Sequence, residues 1–158
     1  MFKGTSASAG IGIGKAVIVE EAELVITRNE VADAEAEIQR FKGALEKTIA
    51  ATQKMADDLA SRVGEKEAEI MQGHMMLLSD PMLTGEIENS VKNDKVNSEF
   101  AIENVCNMYA DMFASMGDEL MQQRATDMRD IKVRMQRTLM GLESVDVSLL
   151  PKGSILVA

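Results

Sequence analysis

From Asn29 to Val63 the chain carries no proline and a single glycine, Gly43. Along this run Ile38, Phe41, Leu45, Ile49, Met55, Leu59 and Val63 recur at steps of three and four, with occasional slips. That spacing lines up apolar side chains on one face of an α-helix. An unbroken helix of this length would reach about 50 Å. Asn29 or Asp33 can cap its start, and acidic residues in its first turn suit the positive end of the helix dipole.

Gly64 is a natural stop for the long helix. A second helix is expected from about Glu65 to Ser79. Asp80-Pro81 then reads as a fresh N-cap with proline at the first helical position, opening a short third helix to about Val91. "KNDKVNSEFA" supplies a turn and a cap. Beyond it Phe100, Ile102, Val105, Met108, Tyr109, Met112, Phe113, Met116 and Leu120 line a fourth helix. Met128, Ile131, Met135, Leu139 and Leu142 line a fifth, which Gly141 helps to end. Two long antiparallel helical hairpins packed together are the economical arrangement.

The two ends differ in character. "KAVIVEEAELVIT" is β-branched and runs into alternation, and the closing "LPKGSILVA" returns to strand, with Ile155, Leu156 and Val157 needing a sheet partner that only the N-terminal strands can provide. The expected fold is therefore mainly α: a helical-hairpin bundle of four to five helices inserted between short strands of an incomplete α/β subdomain. The boundaries fall at 1–28 for the N-terminal strands, 29–143 for the helices and 144–158 for the returning strand. An incomplete sheet predicts that the chain is a piece of a longer protein and that its unpaired strand edges can join two copies into a homodimer.

Charge narrows the class of partner. Seventeen basic and 26 acidic side chains leave a net charge of −9, a surface that repels phosphate backbones. Nucleic-acid binding is not expected, since the arginine cluster at 124–137 is the sole candidate basic patch. A basic protein partner fits better. No apolar run approaches the roughly 20 residues of a membrane span, and no charged-then-apolar leader opens the chain. The expectation is a cytoplasmic protein without membrane contact. Cys106 falls in the apolar pattern of the fourth helix and reads as a buried small hydrophobe. Thirteen methionines stand against four phenylalanines, one tyrosine and no tryptophan, a bias found in adaptable cores and in helix-lined docking surfaces alike.

Motifs for chemistry are sparse. "GIGIGK", Gly10 to Lys15, fails as a phosphate loop because Ala9 and Ala16 stand where glycine and Ser or Thr are needed. It fails as a dinucleotide turn because a strand follows it instead of a helix. One histidine and one cysteine exclude ordinary zinc sites. "QGHMMLLSDP", Gln72 to Pro81, holds that histidine in a segment apolar all round: Ile70, Met71, His74, Met75 and Leu78 fall on one side, Gly73, Met76, Leu77 and Asp80 on another. Such a helix has one face on its own core and another for a partner, or is wholly buried. His74 lies on the fuller apolar side and reads as a packed residue with one satisfied nitrogen, with no carboxylate at a fixed short spacing to orient it. In "RATDMRDIKVRMQR" Arg124, Arg129, Arg134 and Arg137 alternate with Asp127 and Asp130, and pairs three and four apart account for much of that pattern. An arginine left over could serve recognition.

"SASAGIGIGKA", "EIMQGHMMLLSDP" and "RATDMRDIKVRM", in that order and spacing, resemble the N-terminal part of Enzyme I of the bacterial phosphoenolpyruvate:sugar phosphotransferase system, over essentially the whole chain. In that family a histidine takes phosphate from phosphoenolpyruvate and passes it to the phosphocarrier HPr, which docks on a helical insertion. The phosphohistidine sits in a glycine- and serine-rich stretch downstream of the last strand here, so the resemblance implies that this chain by itself is inactive and lacks the pyruvate-binding barrel with its magnesium. It implies no cofactor for the chain and HPr as its partner. The implied docking residues are Met76, Leu77 and Asp80, then Met82, Glu65 and Glu67, Phe113 and Met116, and Arg124. Met82 is a departure, standing where the family is usually more acidic. The competing expectation is a self-contained helical interaction or oligomerisation module with no phosphotransfer role.

Overall fold

The structure, a computed structural model, describes residues 11–18, 23–142 and 154–157; the side chains of Glu67, Leu156 and Val157 fall outside it. β1 (Lys15–Ile18) is followed by the long helix α1, Ala34–Arg62. Asp33 caps α1, its carboxylate accepting from the Ala36 N–H at 3.1 Å. Asn29 does something else. Its N–H donates to Asn97 Oδ1 at 2.8 Å and its carbonyl accepts from the Asn97 N–H at 3.0 Å, tying the approach to α1 to the start of a later helix.

Gly64, at φ 147°, turns the chain into α2 (Glu65–Leu78). α3 (Pro81–Asp94) opens on Asp80, whose carboxylate accepts from the Met82 N–H at 2.8 Å with proline at the helix start. It runs past the expected Val91 and ends where Lys95 adopts a left-handed φ of 50°. α4 (Ser98–Ser115) and α5 (Glu119–Leu139) complete the helices, and β2 (Ser154–Val157) pairs with β1 in parallel, Lys15 opposite Ser154 through Ile18 opposite Val157. The strand expected over Leu24–Thr27 does not form, because β propensity without a neighbouring strand leaves the backbone ladder unmade. Residues 19–22, the "GIGIGK" glycine at position 10 and the "LPKG" at 150–153 lie outside the described residues.

Close Cα neighbours divide the chain into two units, Leu24–Glu143 and a second made of Met1–Glu23 with Ser144–Ala158. In the helical unit Phe41, Leu78, Ile87, Ile102 and Ile131 are fully enclosed, and Leu77, Tyr109, Phe113 and Leu139 pack against them. Each such large side chain contributes about 1.5–3 kcal/mol by leaving water. Polar rungs fix how α5 lies against its neighbours. Lys132 Nζ donates to Glu103 and Asn107 of α4, both at 3.0 Å, and Gln136 Nε2 to Glu103 at 2.8 Å. On the other side Thr48 of α1 donates to Thr138 at 3.1 Å. Arg40 of α1 binds Glu37 at 2.8 Å, the Glu99 carboxylate and the Leu139 carbonyl at 3.0 Å. Burial alone would raise the Glu99 carboxyl, but the Arg40 guanidinium outweighs it and holds the group below the usual carboxylate range.

Three expectations about apolar faces need correction. Met55 is 44% exposed and Val63, the C-cap of α1, is 62% exposed, because the α1 stripe slips off the core at its far end. Leu120 belongs to the first turn of α5, since the chain turns at Gly117 with φ 69°. Met108, Met112 and Leu120, placed in the apolar stripe of the fourth helix, are exposed, as is Met116, which the resemblance also named as a docking residue. Cys106 is buried, and burial pushes its thiol up to about 12, so it is an inert core residue.

Candidate functional site

α2 has two faces. Met71, His74 and Leu78 are turned inward, while Met76, one residue beyond Met75, is 68% exposed. Ile70, expected on the inner side, is 51% exposed, while Ala68 and Met71 on either side of it are buried. Leu77 lies between, partly buried against the core. The inner face carries the surprise. His74 Nε2 lies 3.3 Å from Asp127 Oδ1, both residues are buried, and the same oxygen accepts from Gln123 Nε2 at 3.1 Å. A carboxylate oxygen accepts, so this bond requires the proton on Nε2. Nδ1 is buried without a hydrogen-bond partner. His74 is thus a packed residue with one satisfied nitrogen, as expected, and no carboxylate at short spacing orients it, but a distant one does. The partner is 53 residues away in sequence and on another helix, where no local spacing rule reaches.

The second oxygen of Asp127 faces Arg124, with Nη1 at 4.0 Å. Arg124 lies across α2 at Gly73: a Cβ placed on that glycine would stand 3.2 Å from Arg124 Nη1 and 3.8 Å from Asp127 Oδ2. Gly73 is thus a groove in the side of a helix. Glycine in a helix interior costs about 1 kcal/mol relative to alanine, and here its missing side chain lets a guanidinium settle beside a buried carboxylate.

The other sequence-chosen residues lie on α2 itself and on two further elements, α3 and α4. Asp80 is the exposed N-cap of α3, and Met82, two residues on, is 71% exposed. On α4, Tyr109 and Phe113 form a tilted ring pair with centroids 6.3 Å apart. Burial first, then the charges of Glu86 and Asp80, raise the Tyr109 phenol, which places this part of α4 beside the α2–α3 junction. Met116 caps α4 at its C-terminal end and is 55% exposed. Glu65 sits at the opposite end of α2, about 17 Å along the helix from Met76, and the Glu67 side chain lies outside the described residues. The structure seats Arg124 over Gly73 of α2, packs Leu77 and Phe113 against one core, leaves Met76, Met82 and Met116 exposed on α2, α3 and the end of α4, and puts Glu65 at the far end of α2. Sequence reasoning missed Gly73, Asp127 and Gln123 as its support. A glycine inside an otherwise uninterrupted helical pattern was the available signal for the first.

Of the remaining arginines, Arg129 reaches Asp111 of α4 at 3.9 Å. Arg134 lies among Thr52 Oγ1 at 3.4 Å, Met55 Sδ at 3.2 Å and Met71 Sδ at 3.6 Å, and burial lowers its guanidinium from the usual value. Among the described residues no group of three or more His, Cys, Asp or Glu side chains could hold a metal ion. No described helix is long and apolar enough to cross a membrane.

A mainly helical unit interrupting a parallel strand pair, with a two-faced helix beside a cradled arginine, defines the class. The chain belongs to the PEP-utilising enzyme, N-terminal family, whose model matches residues 3–124. Its relatives are more particular. It is 38% identical over 157 residues to the phosphoenolpyruvate-protein phosphotransferase of Listeria monocytogenes, covering 99% of this chain and 27% of that protein. It is 36% identical over 157 residues to the Bacillus subtilis protein of the same name, covering 99% of this chain and 28% of that protein. The chain therefore spans little more than a quarter of the length of these relatives. A solution structure of Enzyme I superposes with a TM-score of 0.91 at 34% identity, over 99% of this chain and 64% of that one. The N-terminal domain of Enzyme 1-Nitrogen superposes with 0.73 at 25% identity, over 91% and 59%. The resemblance read from the three sequence motifs and the mainly helical fold both stand.

Proposed function

We propose that residues 29–143 are the docking domain on which a phosphoenolpyruvate-protein phosphotransferase receives HPr, the phosphocarrier of bacterial sugar uptake. Residues 1–28 and 144–158 belong in this reading to the α/β part that carries the phosphorylated histidine in the longer, cytoplasmic enzyme. The observation that carries the proposal is the exposure of Met76 on α2 and Met82 on α3, with an arginine seated over Gly73 of the same α2. Exposed thioethers and the partly buried Leu77 and Phe113 offer a deformable apolar centre. Asp80 and the −9 net charge favour a basic partner, and Arg124 offers one fixed guanidinium for an acidic or phosphorylated group. The relatives' name, a transferase to protein, supports a protein as the acceptor.

His74 has no phosphate-carrying role in this reading. It is 2% exposed, with one nitrogen against Asp127 and the other enclosed, so neither can approach a phosphoryl donor in line. The magnesium expected for the parent enzyme finds no ligand set among the described residues, and no step assigned to this chain runs through it. Titration of the isotope-labelled chain with HPr tests the proposal. Amide shifts are expected at Met76, Leu77 and Arg124, and whether Glu65 moves reports how far the face extends. A spectrum left unchanged by HPr overturns it.

A further inference from the structure

We infer that the docking face is a reversible oxidation switch, with Met76, Met82 and Met116 as its modification sites and hydrogen peroxide or a related peroxide as the oxidant. This rests on the docking reading and adds a regulation to it.

The described methionines range from sealed to open. Met128 and Met135 are 1% exposed and Met71 is 9% exposed, all sealed in the bundle. Met55 is 44% exposed, but its sulfur accepts from the Arg134 guanidinium at 3.2 Å, so a lone pair is already engaged. Met108, Met112 and Met140 are 55%, 44% and 39% exposed; they are open to oxidant too but are not among the docking residues, so their oxidation is expected to leave affinity unchanged. Met82, Met76 and Met116 are 71%, 68% and 55% exposed. Among the described hydrogen bonds their sulfurs accept none.

Oxidation begins when a sulfur lone pair attacks a peroxide oxygen. The S–O bond forms as the O–O bond breaks; the thioether is oxidised by two electrons to the sulfoxide, and the departing hydroxide takes a proton and leaves as water. Accessibility and a free lone pair both favour the face over Met55, and over the core residues most strongly. The product suits the role of a switch. A sulfoxide is a strong hydrogen-bond acceptor where the partner expects an apolar thioether, and sulfoxide reductases restore the original group. A leucine face would offer the same apolar area without this chemistry.

The experiment treats the full chain with limiting hydrogen peroxide, maps sulfoxides by peptide mass spectrometry and measures HPr affinity before and after. The three face methionines should oxidise ahead of Met55, and Met71, Met128 and Met135 last. Affinity should fall about tenfold or more, as expected when a polar group is buried without a partner, and should return after treatment with methionine sulfoxide reductases of both stereospecificities. An M76L/M82L/M116L variant, compared only with itself, should change less than about twofold under the same peroxide. Core methionines oxidising as fast as the face, or mapped face sulfoxides with unchanged affinity, overturns the inference and leaves docking intact. Reduced chain that does not bind HPr at all fails the docking reading itself.

Discussion

Gly73→Ala should make the chain more stable and a poorer partner at once. Gly73 has ordinary helical backbone within α2 and is absent from the positive-φ glycines, so alanine fits the conformation. Replacing an interior helical glycine gains about 0.5–1 kcal/mol through helix propensity and a less disordered unfolded chain. Against this, the new methyl meets Arg124 Nη1 at 3.2 Å. That atom is the free end of a long side chain that is 31% exposed, so it can swing aside. The contact surrendered is a 4.0 Å pair between a part-exposed guanidinium and the buried Asp127, too long for a hydrogen bond, and Asp127 keeps His74 and Gln123, so about 0.5 kcal/mol or less is lost. The balance is a stabilisation of roughly 0.5 kcal/mol, or a Tm higher by about 1–2 °C for a chain of this size. HPr binding should weaken by about 1 kcal/mol, roughly fivefold, because the guanidinium is no longer held in place. Differential scanning calorimetry and isothermal titration read the two arms separately. The decisive control is the Arg124→Ala background, where adding Gly73→Ala should leave affinity unchanged. A lower Tm, or a Gly73→Ala effect on affinity that persists without Arg124, refutes the cradle.

Three other outcomes are expected. His74→Ala should destabilise the chain by about 2–4 kcal/mol in urea unfolding, since it opens a cavity and strips a buried carboxylate of a donor; a loss below about 0.5 kcal/mol would mean the pair is not structural. Acid should destabilise the bundle: Glu99 and Glu103 are held below the ordinary glutamate value in the fold by their hydrogen bonds and cationic neighbours, so their contribution is complete above that value and is lost as pH falls through their lower folded values. Glu99→Gln should flatten the fall in Tm over that range, and an unaltered acid limb counts against the Arg40–Glu99 linkage. Self-association through the strand edges should appear in sedimentation as a concentration-dependent dimer; a single monomeric species at all concentrations removes that reading.

What could be read from the sequence was what local physics controls. Periodicity located five helices, Asp33 and Asp80-Pro81 announced their caps, and Gly141, at φ 67°, ends α5. The inward turn of His74 and the outward turn of Met76 followed from α2's spacing alone. Leu24–Thr27 was misread because its β-branched residues look like strand whether or not a neighbour exists to pair with them. Met108 and Met112 sit in the apolar stripe of α4 yet are exposed, because thioethers suit a core and a contact surface equally and only the packing of neighbouring helices separates the two. Asp127 is the deeper omission. Its charge pattern on α5 is explained by intrahelical pairs with the arginines around it, so nothing in the sequence asked for a partner on α2.

The parallel pairing of β1 and β2 also fixes an order of events. Lys15 and Ser154 are neighbours in the sheet but roughly 140 residues apart along the chain, a closure with a large entropic cost if attempted by an open coil. The helices have no such difficulty, since their hairpins join at short turns and form from local contacts. The bond from Arg40, in the second turn of α1, to the carbonyl of Leu139 at the end of α5 closes a span of 99 residues inside the helical unit. Less of the chain then remains to be closed when the strands pair, so damage to the Arg40 junction should slow strand pairing before it weakens any helix.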